Sequence, residues 1–510
     1  MRFLIFLLIL VPLAACGMGE GTGTGEAPIS ILIIADEGTG DAGMEGHDTF
    51  LLGATHLGLT TRAPDGRIVP SLAVSWRVLD EGRTYIFKLR DAAWPDGRRI
   101  TAGDVVAVLR RGMAPGSDVP VKPYLMDIAE AEAVSGNRKP ARMLGIADPR
   151  PDVVEISLDR PYPALLSLLA HPSLAIVRAD TPPPPSGPYM VADDTPAAKR
   201  LVRNTAFVAE EDMPLSPLIL AKAMPDDAIA AFEAGEVDIV LGGRTDGIRR
   251  VRTDALSASL RLEPSVGLYG YVAHVARGPL ADVRIRRALA MTVAREQLVQ
   301  SYFALVGMQA AYGPLAPTLP ETYAGAVPDW AVWPADVRAA EAQRLLLEAG
   351  VSPDTPITLD VALPRGAIHE GVLAQLADGW RDFGIHVRAY KRSAAMHRRA
   401  VESGDYDLAV SERIAPGQIP RFFLRPFTCD MGAGGYCNRD ADRLLDAAAD
   451  EVDNGTRINL VRRAARLIAE DAPIIPLFSP VRWALVRPGI SGWEQNAAGA
   501  HPPQYLKRVN

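Results

Sequence analysis

The chain has 510 residues, 48% hydrophobic and 23% charged, the balance of an ordinary globular protein. That length exceeds what one hydrophobic core organises, so two or three domains are expected. A formal net charge of −7 argues against a nucleic-acid partner, which would need a basic face, and with only seven Lys among the 54 basic residues the Arg bias reads as genome composition.

The N-terminus reads as a targeting segment. Arg2 is its charged start, and Phe3 to Leu13 is an apolar run too short to span a membrane. Leu13-Ala14-Ala15-Cys16 is similar to the bacterial lipobox, in which Cys16 becomes the lipidated first residue; an ordinary cleaved signal is the alternative. Residues 1–15 are thus expected to be a signal peptide and 16–28 a flexible, glycine-rich tether. The tether's glycines do not fit G-x-G-x-x-G and follow no strand, which excludes a dinucleotide loop.

Ile29 to Ala35 reads as a buried strand, followed by the acidic loop Asp36 to Asp41 and an apolar helix over Leu51 to Leu59. Asp80-Glu81-Gly82 is a turn, after which Tyr85, Phe87 and Leu89 alternate with Ile86, Lys88 and Arg90, the period of a strand with one buried face. Thr101, with Asp104 three residues on, begins a helix that ends near Gly112. A helix is expected around Pro123 to Val134, a strand over Val153 to Leu158 and a short helix over Ala164 to Ala170. The proline run Thr181 to Pro185 is either a crossing between lobes or a surface loop. Asp227 can cap Ala228 to Ala234, and Gly235 to Val240 leads into a strand. Tyr269 to His274 is another strand. Asp282 caps a helix reaching about Phe303, and Asp336 caps one that Gly350 ends. Leu373, Leu376, Ala377, Trp380 and Phe383 fall at helical spacing before Gly384. Strands follow at His386 to Tyr390 and Tyr406 to Val410. Helices are expected over Asn438 to Asp450 and over Thr456 to Glu470, the second with Ile458, Val461, Ala465 and Ile468 on one face.

Taken together, the residues from Gly66 to Val106, read as DG.I.P.LA.SW.V.D.G.TY.F.LRD...W.DG..ITA.DVV, resemble the signature of the family 5 extracellular solute-binding proteins, the peptide- and nickel-binding components of ABC importers. Further stretches are similar to the same family: Ser186 to Tyr189, Leu201 to Asn204, Gly235 to Asp238, Pro279 to Leu289 and Asp471 to Leu477. The resemblance implies an α/β fold of the two-lobed periplasmic-binding-protein type (class II) with an additional N-terminal subdomain. Lobe I is expected from 29–50, 176–266 and 477–510, the extra subdomain from 51–175 and lobe II from 267–476. Hinge crossings are expected at about Gly267 and Pro476. The implied function is capture of a peptide or other small polar solute and delivery to ABC permease subunits, by a monomer held to a bacterial membrane through a lipid anchor at the periplasm or cell envelope, with no cofactor and no chemistry. The alternative is an envelope structural or sensory lipoprotein that keeps the fold without transport; a hydrolase ranks third.

No catalytic constellation is complete. His369-Glu370 begins H-E-x-x-H, but Leu373 stands in the last position. Gly489 to Trp493 fails the nucleophile elbow at its final residue. None of the eight histidines is spaced at i, i+4 from another, so no helical metal pair is expected.

The resemblance also directs attention to candidate ligand-binding residues. Relatives carry an acidic loop after the first strand, which here contains Glu37 but lacks its Pro. Peptide-binding relatives place a carboxylate for the ligand's amino group in a motif similar to D-Y-x-D-P. Here that interval, Ser411 to Pro420, contains no Asp, and Gln418 stands at roughly the second Asp position. Glu412 can supply the counter-charge from a shifted position, whereas Arg413 would favour an anionic group as a planar bidentate donor; both are otherwise loop or rim charges. His274 stands where many relatives have Asn, and Tyr271 precedes it by three; either lines the cleft or packs in the core. Trp330 and Trp333 are aromatic-wall candidates, with simple packing as the alternative. Cys429 and Cys437, an even pair in an exported chain, are expected to form a disulfide like that of several peptide-binding relatives, two free thiols being the alternative.

Overall fold

The isoleucine-rich run at the start of the chain becomes a central strand because β-branched residues suit a sheet covered on both faces. The computed structural model describes residues 27–35, 46–208, 213–245, 247–305 and 307–509. Its strands begin with β1 (Ile29–Ile34), β2 (Thr60–Arg62), β3 (Ile68–Pro70), β4 (Ala73–Leu79), β5 (Thr84–Leu89), β6 (Ile146–Arg150) and β7 (Val153–Ser157). They continue with β8 (Tyr189–Asp194), β9 (Lys199–Arg203), β10 (Leu218–Ala223), β11 (Ile239–Gly243), β12 (Leu260–Pro264) and β13 (Gly267–Ala273). The last are β14 (Ile357–Pro364), β15 (Ile385–Arg392), β16 (Leu408–Ile414), β17 (Ile474–Phe478) and β18 (Val481–Val486).

A seven-stranded sheet in the order β12-β18-β11-β1-β10-β9-β8 forms lobe I, with β1 parallel to both β10 and β11. Ile29, Ile31 and Ile33 face its core. The buried Asp238, just before β11, accepts from the amide and hydroxyl of Ser30 (both 2.8 Å) and from Arg508 (2.6 Å), tying the first strand to the C-terminal segment. Lobe II carries the five-stranded sheet β15-β14-β16-β13-β17. The stretch between α-helix His47–Thr55 and β8 holds an antiparallel sheet, β4-β5-β7-β6. There Tyr85, Phe87 and Leu89 are buried, as the period-2 pattern predicts. The helix Ala102–Met113 opens on a reciprocal cap in which the Thr101 amide and hydroxyl both donate to the Asp104 carboxylate (2.8 and 2.9 Å).

Several element expectations are corrected. The helix expected around Pro123 to Val134 is two short pieces, Lys122–Tyr124 and Ala131–Ser135, because Glu130 takes a left-handed conformation (φ 64°) between them. Pro225 opens its helix with Asp226 and Asp227 in the first turn, so Asp227 is not the cap. Asp282 does cap, accepting from the Arg284 amide, but that helix stops at Met291. Asp336 lies inside the first turn of Ala335–Glu348 rather than before it. In Asn454–Asp471 the buried face is Ala464, Ala465, Ile468 and Ala469; Ile458 and Val461 are half-buried.

The chain passes between the two large sheets twice, at Ser265–Val266 and at Ser479–Pro480. The second crossing lies beyond Pro476, which still belongs to β17 and pairs with Gly270. The two crossing segments run side by side. Ser265 Oγ donates to the Pro480 carbonyl (2.6 Å), and Ser479 exchanges bonds with Gln309 (2.8 and 3.1 Å). A Cβ on Gly267 would stand 2.7 Å from the Pro480 ring, so glycine is what allows this approach. One core then joins the 51–175 stretch to lobe II, with Phe87, Trp94 and Ile156 in one cluster with Phe422, Phe423 and Ile468.

Candidate functional site

Strand β16 runs antiparallel to β13 with Ile414 opposite Gly267, so its last residues arrive at the first crossing. Successive side chains of a strand point to opposite faces. Glu412, opposite Tyr269, and Arg413, opposite Leu268, therefore serve different surfaces.

On the Glu412 face, Tyr269 is stacked between His369 (centroids 5.7 Å, 9°) and Phe478 (4.6 Å, 7°), and its hydroxyl lies 2.9 Å from His369 Nδ1. His369 comes from the first turn of the helix Ala367–Arg381. Thr245 of lobe I donates to the Glu412 carboxylate at 3.5 Å, across the boundary between the lobes. Thr245 lies just beyond the end of β11, and the parallel strands β1, β10 and β11 all end on this side. The carboxyl ends of parallel strands are where α/β sheets gather ligands.

The other face is a seam against the 51–175 stretch. The Arg413 guanidinium lies over the Phe422 ring (4.4 Å) and donates to the Phe422 carbonyl (2.7 Å) and the Tyr124 hydroxyl (3.4 Å). Beyond it, the Pro416 carbonyl accepts from Arg62 (2.9 Å), which also donates to the Gly66 carbonyl (2.9 Å) and Ser167 Oγ (2.6 Å). Burial, and secondarily the Arg482 cation, pull the Arg62 guanidinium down to about 10. A Cβ on Gly417 would stand 2.6 Å from Ser167 Oγ, so a larger residue there would push the Ser167 hydroxyl away from Arg62. Arg421 closes the seam with an ion pair to Asp127 (2.7 Å).

The remaining sequence candidates fall elsewhere. Tyr271 shares the Tyr269 face but is fully buried in the lobe II core, edge-on to Tyr269 (6.4 Å), and burial raises its phenol above the ordinary range. His274 lies at the end of β13 remote from the crossings, edge-on to Tyr406 (5.7 Å); burial, then Arg277, lower its imidazole. Gln418 is exposed in the bend after Pro416. Glu37 and Cys16 lie outside the described residues. Trp330 is buried against Tyr312 (6.1 Å), whereas Trp333 is partly exposed. Cys429 and Cys437 are joined, with Cα atoms 4.3 Å apart. Sequence reading missed Arg62, Thr245, Tyr269 and His369; only His369 carried a signal, as the start of an incomplete metal motif, and it points to the wrong chemistry. Among the described residues no group of three or more His, Cys, Asp or Glu could hold a metal ion, and no helix is long and apolar enough to cross a membrane.

Comparison with known proteins places this geometry. The chain is 26% identical over 468 residues to the probable deoxycholate-binding periplasmic protein YgiS of Escherichia coli K12, covering 86% of this chain and 84% of that protein. It is 24% identical over 462 residues to the periplasmic oligopeptide-binding protein OppA of the same strain, covering 86% and 83%. Among solved structures, the E. coli murein tripeptide binding protein MppA superposes with a TM-score of 0.81 at 21% identity, over 96% of this chain and 99% of that one. Haemophilus influenzae OppA in complex with RPPGFSPFR gives 0.79 at 20% identity, over 95% and 100%. The family described as bacterial extracellular solute-binding proteins, family 5 Middle, matches residues 67–434, well over half of the chain. This protein belongs to the bacterial extracellular solute-binding proteins of family 5.

Proposed function

We propose that this protein is the substrate-binding component of an ABC importer, which captures a peptide or peptide-like solute between its lobes and delivers it to the permease without chemistry. One observation carries the reading: Glu412 of lobe II meets Thr245 of lobe I at the carboxyl ends of the parallel strands, where a bound solute is enclosed by both lobes. OppA and MppA, named for oligopeptide and murein peptide binding, lend support as relatives over most of the chain. In this reading 29–50, 176–264 and 481–510 make lobe I, 51–175 the extra subdomain and 267–478 lobe II. Glu412 is the counter-charge for a ligand ammonium, with His369 beside it, and the fully buried Tyr269 and Tyr271 back that position. Arg413 holds the seam rather than the solute. The protein acts as a monomer outside the cytoplasm, held at one leaflet through Cys16 and the tether.

Calorimetry against free-amine and N-blocked peptides tests this. Glu412→Gln should weaken free-amine binding by about 30-fold to several thousandfold, as for a buried charge-assisted contact, and leave blocked peptides little changed. Tight free-amine binding that ignores Glu412→Gln would place the anchor elsewhere. A second reading, a bile-acid-like amphipathic acid, is favoured by the likeness to YgiS and by the absence of any Asp from Ser411 to Pro420. Deoxycholate in the same calorimeter distinguishes the two.

A further inference from the structure

A cavity of about 620 Å³ lies between lobe I and the 51–175 stretch. Its volume falls within the roughly 300–1,000 Å³ of small-molecule sites. No lining residue falls between 214 and 491, the stretch that holds both crossings and all of lobe II, so this space is separate from the interlobe cleft.

The inner wall is polar but uncharged. His56, Thr60, Ser71, His171 and Gln504 line the cavity and are each nine-tenths or more buried. Thr60 is spent on the Leu166 carbonyl (2.9 Å), and His171 Nδ1 on Ser173 (2.7 Å). Gln504 is different: its side-chain carbonyl oxygen is buried and has no donor. A desolvated acceptor without a partner is unfavourable, and on a cavity wall the missing donor has room to arrive with a ligand. Burial also draws the His56 imidazole down to about 4, so this wall stays neutral near pH 7. Leu57, Phe207 and Met213 supply apolar surface. The charges sit at the rim, where Asp65, Arg67 and Glu494 are exposed and the first two pair with each other, while Arg90 is half-buried.

We propose that this cavity is a second binding site, for an uncharged molecule that presents a hydroxyl or amide N–H to Gln504 Oε1 and an apolar face to Leu57, Phe207 and Met213. Cationic ligands are disfavoured because the inner wall offers no carboxylate. The donor can come from a blocked peptide or from a sugar, and two probes separate these sources: N-acetyl-leucinamide and trehalose, titrated into the full-length mature protein by saturation-transfer NMR.

At least one probe should bind saturably, and which one does identifies the donor. Gln504→Leu should weaken it about threefold to tenfold, the cost of one neutral hydrogen bond. Ala63→Trp, which fills the cavity from a half-buried loop position, should abolish it while the far-UV dichroism stays unchanged. Glu412→Gln should leave it alone. The proposal falls if neither probe saturates, if binding survives Ala63→Trp, or if Glu412→Gln removes it, since that last result puts the probe in the interlobe cleft. Failure here leaves the cleft reading intact, because the two sites share no residue.

Discussion

Arg62→Met offers the most direct test of how the seam holds lobe II. The buried guanidinium donates to Gly66, Ser167 and Pro416. Hydrogen bonds from a charged donor contribute about 1.5–3 kcal/mol each, about 5–9 kcal/mol together. Against this stands desolvation: the fall from 12.5 to about 10 corresponds to about 3 kcal/mol. Met fills the space of the aliphatic stem, so the net loss of stability is expected at about 1–6 kcal/mol. Gly66 and Ser167 belong to the same stretch as Arg62, and only the Pro416 contact reaches lobe II. That contact alone accounts for about 1.5–3 kcal/mol, a shift of about 10- to 150-fold from closed towards open. Urea denaturation followed by tryptophan fluorescence reads the first quantity. Small-angle scattering of the ligand-free variant reads the second, as a larger radius of gyration. An unchanged urea midpoint together with an unchanged scattering curve would refute the reasoning, since it would mean that burying this cation costs as much as its three acceptors return.

Other outcomes can be checked independently. His56 has a folded value near 4, below its ordinary 6.5, so the unfolded chain takes the proton first. Its contribution is full above about pH 6.5 and is lost as pH falls towards 4, about 3 kcal/mol over the whole window. His56→Gln should therefore lose less stability than wild type between pH 7 and pH 4.5, and equal losses would contradict the assignment. Thiol reagents should label neither Cys429 nor Cys437 in the unfolded, unreduced protein. Reduction should cost about 2–3 kcal/mol for a loop this short; stoichiometric labelling of both would count against the bond. Cys16→Ser should release the protein from membrane fractions, and a wild type already wholly soluble would show that no anchor is used.

What was legible in the sequence is what is set by neighbours. The alternation of Tyr85, Phe87 and Leu89 and the Thr101–Asp104 cap are local patterns, and both stand in the structure. The strand starting at Ile29 is equally local. The site was less legible because it depends on register. Glu412 and Arg413 are adjacent and in sequence are rivals for one role, yet pairing with Tyr269 and Leu268 sends them to different surfaces. Arg62 meets Pro416 across 354 positions, a distance no periodicity spans. The family-like motif Asp471 to Leu477 points to a crossing at about Pro476, but the pairing of Pro476 with Gly270 keeps it in the lobe II sheet and puts the crossing three residues later. Tyr271 falls on the right face of β13 and is nonetheless sealed in the core, since burial depth is not written in the alternation.

The two crossing segments, fastened to each other through Ser265 and Pro480, behave as a flat strap rather than as two separate cords. A strap folds readily about one line across its width and resists yawing within its own plane. If the lobes close on a solute as proposed, lobe II would swing away and return along a single arc, with little freedom to arrive rotated. In that reading Glu412 would meet Thr245 in the same alignment at each closure. Ligand selection would then rest on which solute fits that one closed arrangement, with the wrong ways of shutting removed before any solute enters.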